Sequence, residues 1–392
     1  MQEYIYKKNK QRSTLLILYM AHLAVFEVYY ISHLVSAFTY IYLMFQFIMV
    51  FAFIFILPRK IRINKFDIII ILFCSIEFLA TIKNGLSIVP LVRNILQFLV
   101  LILGLKWGMY NNMKLYIQSI SNILSVLTIT NTICAVIFYP SALYYDNVGS
   151  PLFLIGGDNT SVRLYILAVM FSVLKEQRKR INSICTIVSM YIFVFIRDIG
   201  TGKICVVVMT IGIFFYLIVK LDMPKAIIKL CIIIHIAFFI LVVIGNKMQI
   251  FSFIIQNFLK RDLTLTTRTI IWDITIEKIL EKPVLGNGFV DGNQFESMLP
   301  HIIGVNAHNT YLMITFIGGV ALLSVFLYMF WMAHLKYDKQ KHNRVMAIIP
   351  ISLFLLMLRA QVEGADTIWL IYLLYYIYFY KYTENLYNDC GE

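Results

Sequence analysis

Long apolar runs separated by short polar breaks recur along the chain from Leu15 to Tyr380. Runs of roughly 18 to 25 such residues are about long enough to cross ~30 Å of hydrocarbon as helices. The pattern predicts twelve spans, at about 15–31, 34–57, 66–82, 88–105, 115–139, 161–174, 183–196, 204–219, 226–244, 310–331, 345–358 and 367–380. Two polar segments interrupt it. Residues 139–160 contain no Lys or Arg but hold Pro140, Pro151, Gly149, Gly156 and Gly157, which predicts a loop. Residues 245–309 form a segment of 65 residues, too long to be mere connection.

A mean hydropathy of +0.79, with 60% hydrophobic and 14% charged residues, excludes a soluble globular domain. The expected fold is an all-α polytopic membrane protein with about twelve transmembrane helices. It forms a single integral membrane domain over 1–392, and 245–309 is its long extracytoplasmic loop containing short helices. The first span follows Lys7, Lys8, Lys10 and Arg12 but carries His22 and Glu27 and precedes no small-residue cleavage site. It is read as a retained helix rather than a signal peptide. No repeat at half-chain scale is evident, which argues against the common secondary-transporter folds.

The net charge of +13 would suggest nucleic acid in a soluble chain, but here the placement of charge matters more. With the N-terminus inside, 22 of the 34 Lys and Arg fall on cytoplasmic segments, so both termini are expected there. The other twelve are Lys83, Arg93, Arg163, Arg197, Lys203, Lys247, Lys260, Arg261, Arg268, Lys278, Lys282 and Arg359. Cations at the outer ends of helices are costly unless they meet an anion or a water-filled cavity, so an anionic substrate at the outer face is expected. Glu27 and Glu77, within spans, need partners that the sequence does not name. Five cysteines lie in apolar runs, Cys390 lies in the C-terminal tail, and no Cys/His spacing reads as a metal site.

Within the long loop, Thr266 or Thr267 can cap a helix that runs to about Lys282 and stops at Pro283. On it, Arg268 and Trp272 share a face with Ile276, Ile279 and Leu280, fit to lie on the membrane surface or the bundle. Free N–H groups beside the Arg268 guanidinium would suit an anion, although Arg268 can equally snorkel to lipid phosphates. Trp272 suits an interfacial anchor. The turn from Pro283 to Gly288 reads as structural rather than phosphate-binding. His308, at a water boundary, can take a proton from a sugar hydroxyl, or can simply sit at a helix start with Asn309 as cap. Arg197 to Lys203 forms a charged hairpin in which Arg197 can pair with Asp198, leaving Lys203 as a second cation. Arg163 and Arg93 are further cation candidates. Arg359, Glu363 and Asp366 make a charged turn, read as one ion pair plus one acid.

Arg268 and Trp272, the Pro283 to Gly288 turn, His308-Asn309 followed by Tyr311-Leu312, and Gly318-Gly319 together resemble the O-antigen ligase and polysaccharide polymerase family. Gly157-Asp158-Asn159 and the 197–203 hairpin add to the likeness, which is specific over 266–319, loose over 157–220 and only a matter of hydropathy elsewhere. The resemblance implies a GT-C-like membrane glycosyltransferase that uses neither metal nor nucleotide sugar. Its donor and acceptor would be undecaprenyl-pyrophosphate-linked glycans among membrane lipids, and no nucleic acid is involved. A partner that sets chain length is compatible with it. His308 resembles the family's essential histidine, Arg268 its loop arginine, and Gly202-Lys203 stands where Ser-Arg is usual. Arg197, Lys203, Arg163 and Arg93 are the expected pyrophosphate ligands, supported by Trp272, Asn309, Tyr311, Arg359 and Glu363. The expected activity is chain polymerisation at the outer face of a bacterial plasma membrane. Ligation of finished glycan and flipping of lipid-linked oligosaccharide are the alternatives.

Overall fold

A computed structural model of the protein describes residues 2–35, 37–56, 63–145, 149–175, 181–214, 233, 236–237, 239–240, 268–299, 306–337, 344–364 and 366–379. The helices among them are α1 (Gln2–Val25), α2 (Tyr29–Leu34), α3 (Ala37–Ile56), α4 (Lys65–Lys83), α5 (Val89–Asn111), α6 (Met113–Ile137) and α7 (Asp158–Lys175). They continue with α8 (Ile181–Ile196), α9 (Gly200–Ile213), α10 (Arg268–Glu281), α11 (Gly292–Met298), α12 (Thr310–Tyr337), α13 (Ile348–Ala360) and α14 (Thr367–Tyr378). By length and composition α3, α5, α6 and α12 can each cross a membrane, and α8, α9, α13 and α14 are shorter apolar helices. The protein is therefore a mostly helical integral membrane protein. The expected span at 226–244 and the capping threonines at 266 and 267 lie outside the described residues, apart from isolated positions in the former.

Local chemistry sets the helix ends. Asn64 caps α4 by accepting from the Phe66 and Asp67 amides while the Asp67 carboxylate accepts from the Asn64 amide. Asp67 also receives Lys106 Nζ at 2.6 Å and the Tyr375 hydroxyl at 2.8 Å, so the same carboxylate ties α4 to α5 and α14. Helices α7 and α14 are buried along nearly their whole length, as expected of helices that are apolar all round. They form the centre of the bundle.

Two expectations change here. The segment 139–160 is not only loop, and the fold is not wholly α: Tyr144–Tyr145, Pro151–Phe153 and Gly156–Gly157 make a small antiparallel sheet, β1-β2-β3, that leads directly into α7. The first span ends at Val25 rather than 31. Glu27 then lies in the turn before α2, where the Ser32 hydroxyl and Arg93 both reach it at 2.6 Å. A carboxylate met by a cation at a helix end escapes the penalty of the hydrocarbon interior.

Helix α12 is broken. Gly318 (φ −128°, ψ 15°) and Gly319 (φ 64°, ψ −164°) leave helical geometry, which removes two ladder bonds, from Val320 N to Phe316 O and from Ala321 N to Ile317 O. The turn after α10 takes up all four groups. Asn287 N donates to Phe316 O at 2.7 Å and Gly288 N to Ile317 O at 2.9 Å, while Val320 N donates to Pro283 O at 2.8 Å and Ala321 N to Val284 O at 3.3 Å. The approach is so close that a Cβ on Gly319 would stand 2.2 Å from Val284 O, and one on Gly286 2.5 Å from Ile317 O. The Pro-x-x-Gly-x-Gly turn is thus a structural wedge, further held to α4 through Phe289 N on Thr81 Oγ1 at 3.0 Å. It fixes α10, and with it Arg268, against α12.

Candidate active site

Helix α10 packs through Ile271, Trp272, Thr275 and Ile279, whereas Leu280 is exposed. The packed face is therefore rotated from the one expected, and Trp272, only 1% exposed, is a core residue rather than an interfacial anchor. This rotation leaves Arg268, at the first position of α10, pointing towards the 361–366 turn between α13 and α14. There its Nη2 meets Glu363 Oε1 at 2.9 Å.

His308 arrives at the same carboxylate from the start of α12. Asn309 caps that helix, its Oδ1 accepting from the Tyr311 and Leu312 amides at 3.0 Å each, and its Nδ2 donates to Gln361 O at 2.9 Å. The Thr310 hydroxyl donates to Glu363 O at 2.6 Å, so the cap and the acidic turn are sewn together. His308 itself has φ +45°, a left-handed conformation that costs energy for a residue with a side chain. Its amide donates to Asn306 Oδ1 at 2.7 Å, and Gly364 has room for Asn306 only because it lacks a Cβ, which would lie 2.3 Å from Asn306 Oδ1. So held, His308 Nδ1 stands 3.9 Å from Glu363 Oε2. Burial pushes the Glu363 carboxyl up, but Arg268 above all, then His308 and Arg359, outweigh this and hold it below its ordinary value of 4.5.

The remaining charges continue the cluster. Arg359, 1% exposed, places Nε and Nη2 on Asp366 at 3.0 and 3.3 Å and Nη1 on Asn159 O at 2.6 Å. It is thus a structural tie, and the acid left over from the charged turn is Glu363. Arg163 Nη1 lies 3.7 Å from Asp366, with its guanidinium 6.0 Å from the Trp369 ring. Asn159 Oδ1 accepts from the Thr201 hydroxyl at 3.3 Å, which joins the start of α9 to the start of α7. Arg197 pairs with Asp158 through Nε at 3.1 Å and Nη2 at 3.2 Å, rests 4.8 Å from the Phe153 ring, and donates to the Pro140 and Ser141 carbonyls. It does not take Asp198, which instead pairs with Lys203. The expected Arg197 to Asp198 pair is thereby corrected, because the left-handed Asp198 (φ 52°) turns back towards α9.

The structure thus brings Arg268, His308, Glu363, Arg359, Arg163 and Arg197 into one connected polar network at one end of the bundle, with Lys203 beside it. Arg93 is not part of that network, being held by Glu27. Asn306 and Thr201 are contributors that sequence reasoning missed, and Asp158, quoted only within the Gly157-Asp158-Asn159 motif, is the partner of Arg197. Asn306 had a usable signal, since an Asn two residues before another amide is an Asx-turn former. Buried Tyr311 begins an apolar cavity of about 700 Å³ that follows α12 to Trp331 and His334 and is also lined by Gln361, Phe239, Leu323 and Met357. Its α12 lining thus begins before the break at Gly318–Gly319 and resumes beyond it. Among the described residues, no three His, Cys, Asp or Glu side chains are grouped to hold a metal ion.

Chemically, the cluster offers a guanidinium and an imidazole at one carboxylate beside an open apolar cavity. Neither a curated protein nor a solved structure matches the chain. A family model described as O-antigen ligase matches residues 160–327, a stretch that contains Arg163, Arg197, Lys203, Arg268 and His308 but not Arg359 or Glu363. Members of that family are glycan-transferring enzymes. The part of this chain that carries its arginines and its histidine to the bundle end is thus similar to the O-antigen ligase family.

Proposed function

We propose that the protein is a GT-C-like polysaccharide polymerase of a bacterial plasma membrane. It would join undecaprenyl-pyrophosphate-linked oligosaccharide units into capsular, exopolysaccharide or O-antigen chains at the outer face. The observation that carries this reading is that Arg268 and His308, 40 residues apart in sequence, converge on Glu363 next to the apolar cavity. The lipid tail of the donor would lie along α12 in that cavity, with its diphosphate at Arg268. In the reaction the acceptor hydroxyl oxygen attacks the anomeric carbon with inversion as the bond from that carbon to phosphate oxygen breaks. The electron pair leaves on the lipid diphosphate, where Arg268, aided by Arg163, Arg197 and Lys203, stabilises the departing charge. The hydroxyl proton passes to His308 Nε2.

Purified protein incubated with a defined undecaprenyl-pyrophosphate oligosaccharide, without nucleotide, should yield longer chains. His308→Ala and Arg268→Ala should abolish this while expressing normally. Wild-type extension by a stable His308→Ala protein would remove the base, and by Arg268→Ala the phosphate clamp. Ligation is the second reading, favoured by the family's description as O-antigen ligase. A deletion strain separates the two on a gel of surface glycan: single repeat units mark a polymerase, and full-length polymer stranded on its carrier marks a ligase.

A further inference from the structure

We propose that Glu363 is a positioning residue that changes partner when donor binds, releasing Arg268 to the diphosphate and closing on His308 Nδ1. This rests on the glycosyl-transfer reading above. Glu363 divides its two oxygens between unequal neighbours. Oε1 is hydrogen-bonded by Arg268 at 2.9 Å, whereas Oε2 stops 3.9 Å from His308 Nδ1, beyond bonding distance. That Nδ1 is buried and makes no hydrogen bond, a condition buried polar atoms rarely sustain. The nearest remedy is the carboxylate already facing it.

Which of the two moves is decided by the backbone. His308 is pinned by its left-handed φ, by its amide on Asn306 and by the Asn309 cap behind it. The Glu363 backbone is also tied, through its carbonyl to Thr310, but its side chain keeps three rotatable bonds. Arg268 is what draws the carboxylate away. A diphosphate competes well with Glu363 for the guanidinium because it carries more charge and offers more acceptor oxygens, whereas Arg268 holds Glu363 through Nη2 on Oε1. Once Arg268 turns to it, Glu363 is free to accept from Nδ1–H. The proton is then fixed on Nδ1, the Nε2 lone pair faces the acceptor, and the neighbouring negative charge makes the imidazole a stronger base. Of the other charged groups around the pair, Arg359 stays committed to Asp366 and to Asn159 O, while Arg163, 3.7 Å from Asp366, turns with Arg268 towards the diphosphate. Donor binding would in this way switch on the base.

The test is a pair of pH profiles on protein reconstituted in vesicles, with undecaprenyl-pyrophosphate oligosaccharide as donor. In wild type the acid limb of kcat should lie about one pH unit above that of kcat/KM, since only the donor complex has Glu363 on His308. The donor's own charge also raises the kcat limb, so Glu363→Gln isolates the carboxylate. That variant should bring the two limbs closer, lower kcat at least tenfold and leave the donor KM unchanged or lower, because Arg268 has lost its competitor. Glu363→Asp should recover part of kcat. Coincident limbs in wild type would overturn the exchange without any variant, which keeps the test decisive if Glu363→Gln fails to fold. A separation unchanged in Glu363→Gln, or a raised KM with intact kcat, would overturn it too and leave Glu363 as a mere anchor for Arg268. Full activity of His308→Ala would instead sink the glycosyl-transfer mechanism itself, which distinguishes the two failures.

Discussion

Replacing Gly319 by alanine should be among the most damaging single-methyl changes in this protein. Its φ of 64° and ψ of −164° belong to a region open essentially to glycine alone, so any side chain there costs about 1–3 kcal/mol. The added Cβ would also stand 2.2 Å from Val284 O, and backbone cannot yield as a side-chain tip can. Pushing that carbonyl away breaks its bond with Ala321 N and strains the one between Val320 N and Pro283 O, at about 1–3 kcal/mol for each buried group left unsatisfied. The sum, on the order of 3–6 kcal/mol, is a large part of a typical stability margin of about 5–15 kcal/mol. Gly85→Ala is the matched control: its φ is 65°, but an added Cβ there meets nothing within 4 Å. Thermal unfolding of detergent-purified protein, followed by tryptophan fluorescence, should show Gly319→Ala falling on the order of 5 °C or more below Gly85→Ala. Equal melting temperatures for the two variants would show that the turn does not wedge the broken helix.

Two further outcomes follow from the charge cluster. Arg359→Ala leaves Asp366, 0% exposed, without its main partner and should cost about 3–5 kcal/mol, whereas Arg359→Ala combined with Asp366→Ala should cost less than the single change, measured by the same melts. Because the folded state holds Glu363 below its ordinary value of 4.5, its contribution to stability is complete above that pH and is lost as pH falls through the lower folded value. Melting temperature should therefore drop on acidification below pH 4.5 more steeply in wild type than in Glu363→Gln. Parallel acid profiles would contradict that ionisation.

What the sequence disclosed and what it withheld divide along a physical line. The helix ending at Pro283 and the cap at Asn309 were legible because capping residues and prolines act on their own neighbours, whereas the meeting of Arg268 with His308 was expected only from the family resemblance. The choice of ionic partners was not. Arg197 takes Asp158, 39 residues away, in preference to adjacent Asp198, and Arg93 takes Glu27 at a separation of 66. Such pairings depend on which helix ends packing brings together, and that is decided by α7 and α14, whose all-round apolar sequences carry no directional pattern. The small sheet escaped for another reason. Strands of two or three residues are too short for alternation to register.

The carboxylate that joins the two arms of the site lies 95 residues after Arg268 and follows α13. As the ribosome delivers the chain from its N-terminus, Arg268 and His308 are synthesised before that acid exists. Guanidinium and imidazole must therefore wait, unbridged, until α13 and α14 leave the translocon and dock. The bridged arrangement consequently depends on α13, and a chain terminated before residue 363 would hold Arg268 and His308 without the carboxylate that joins them.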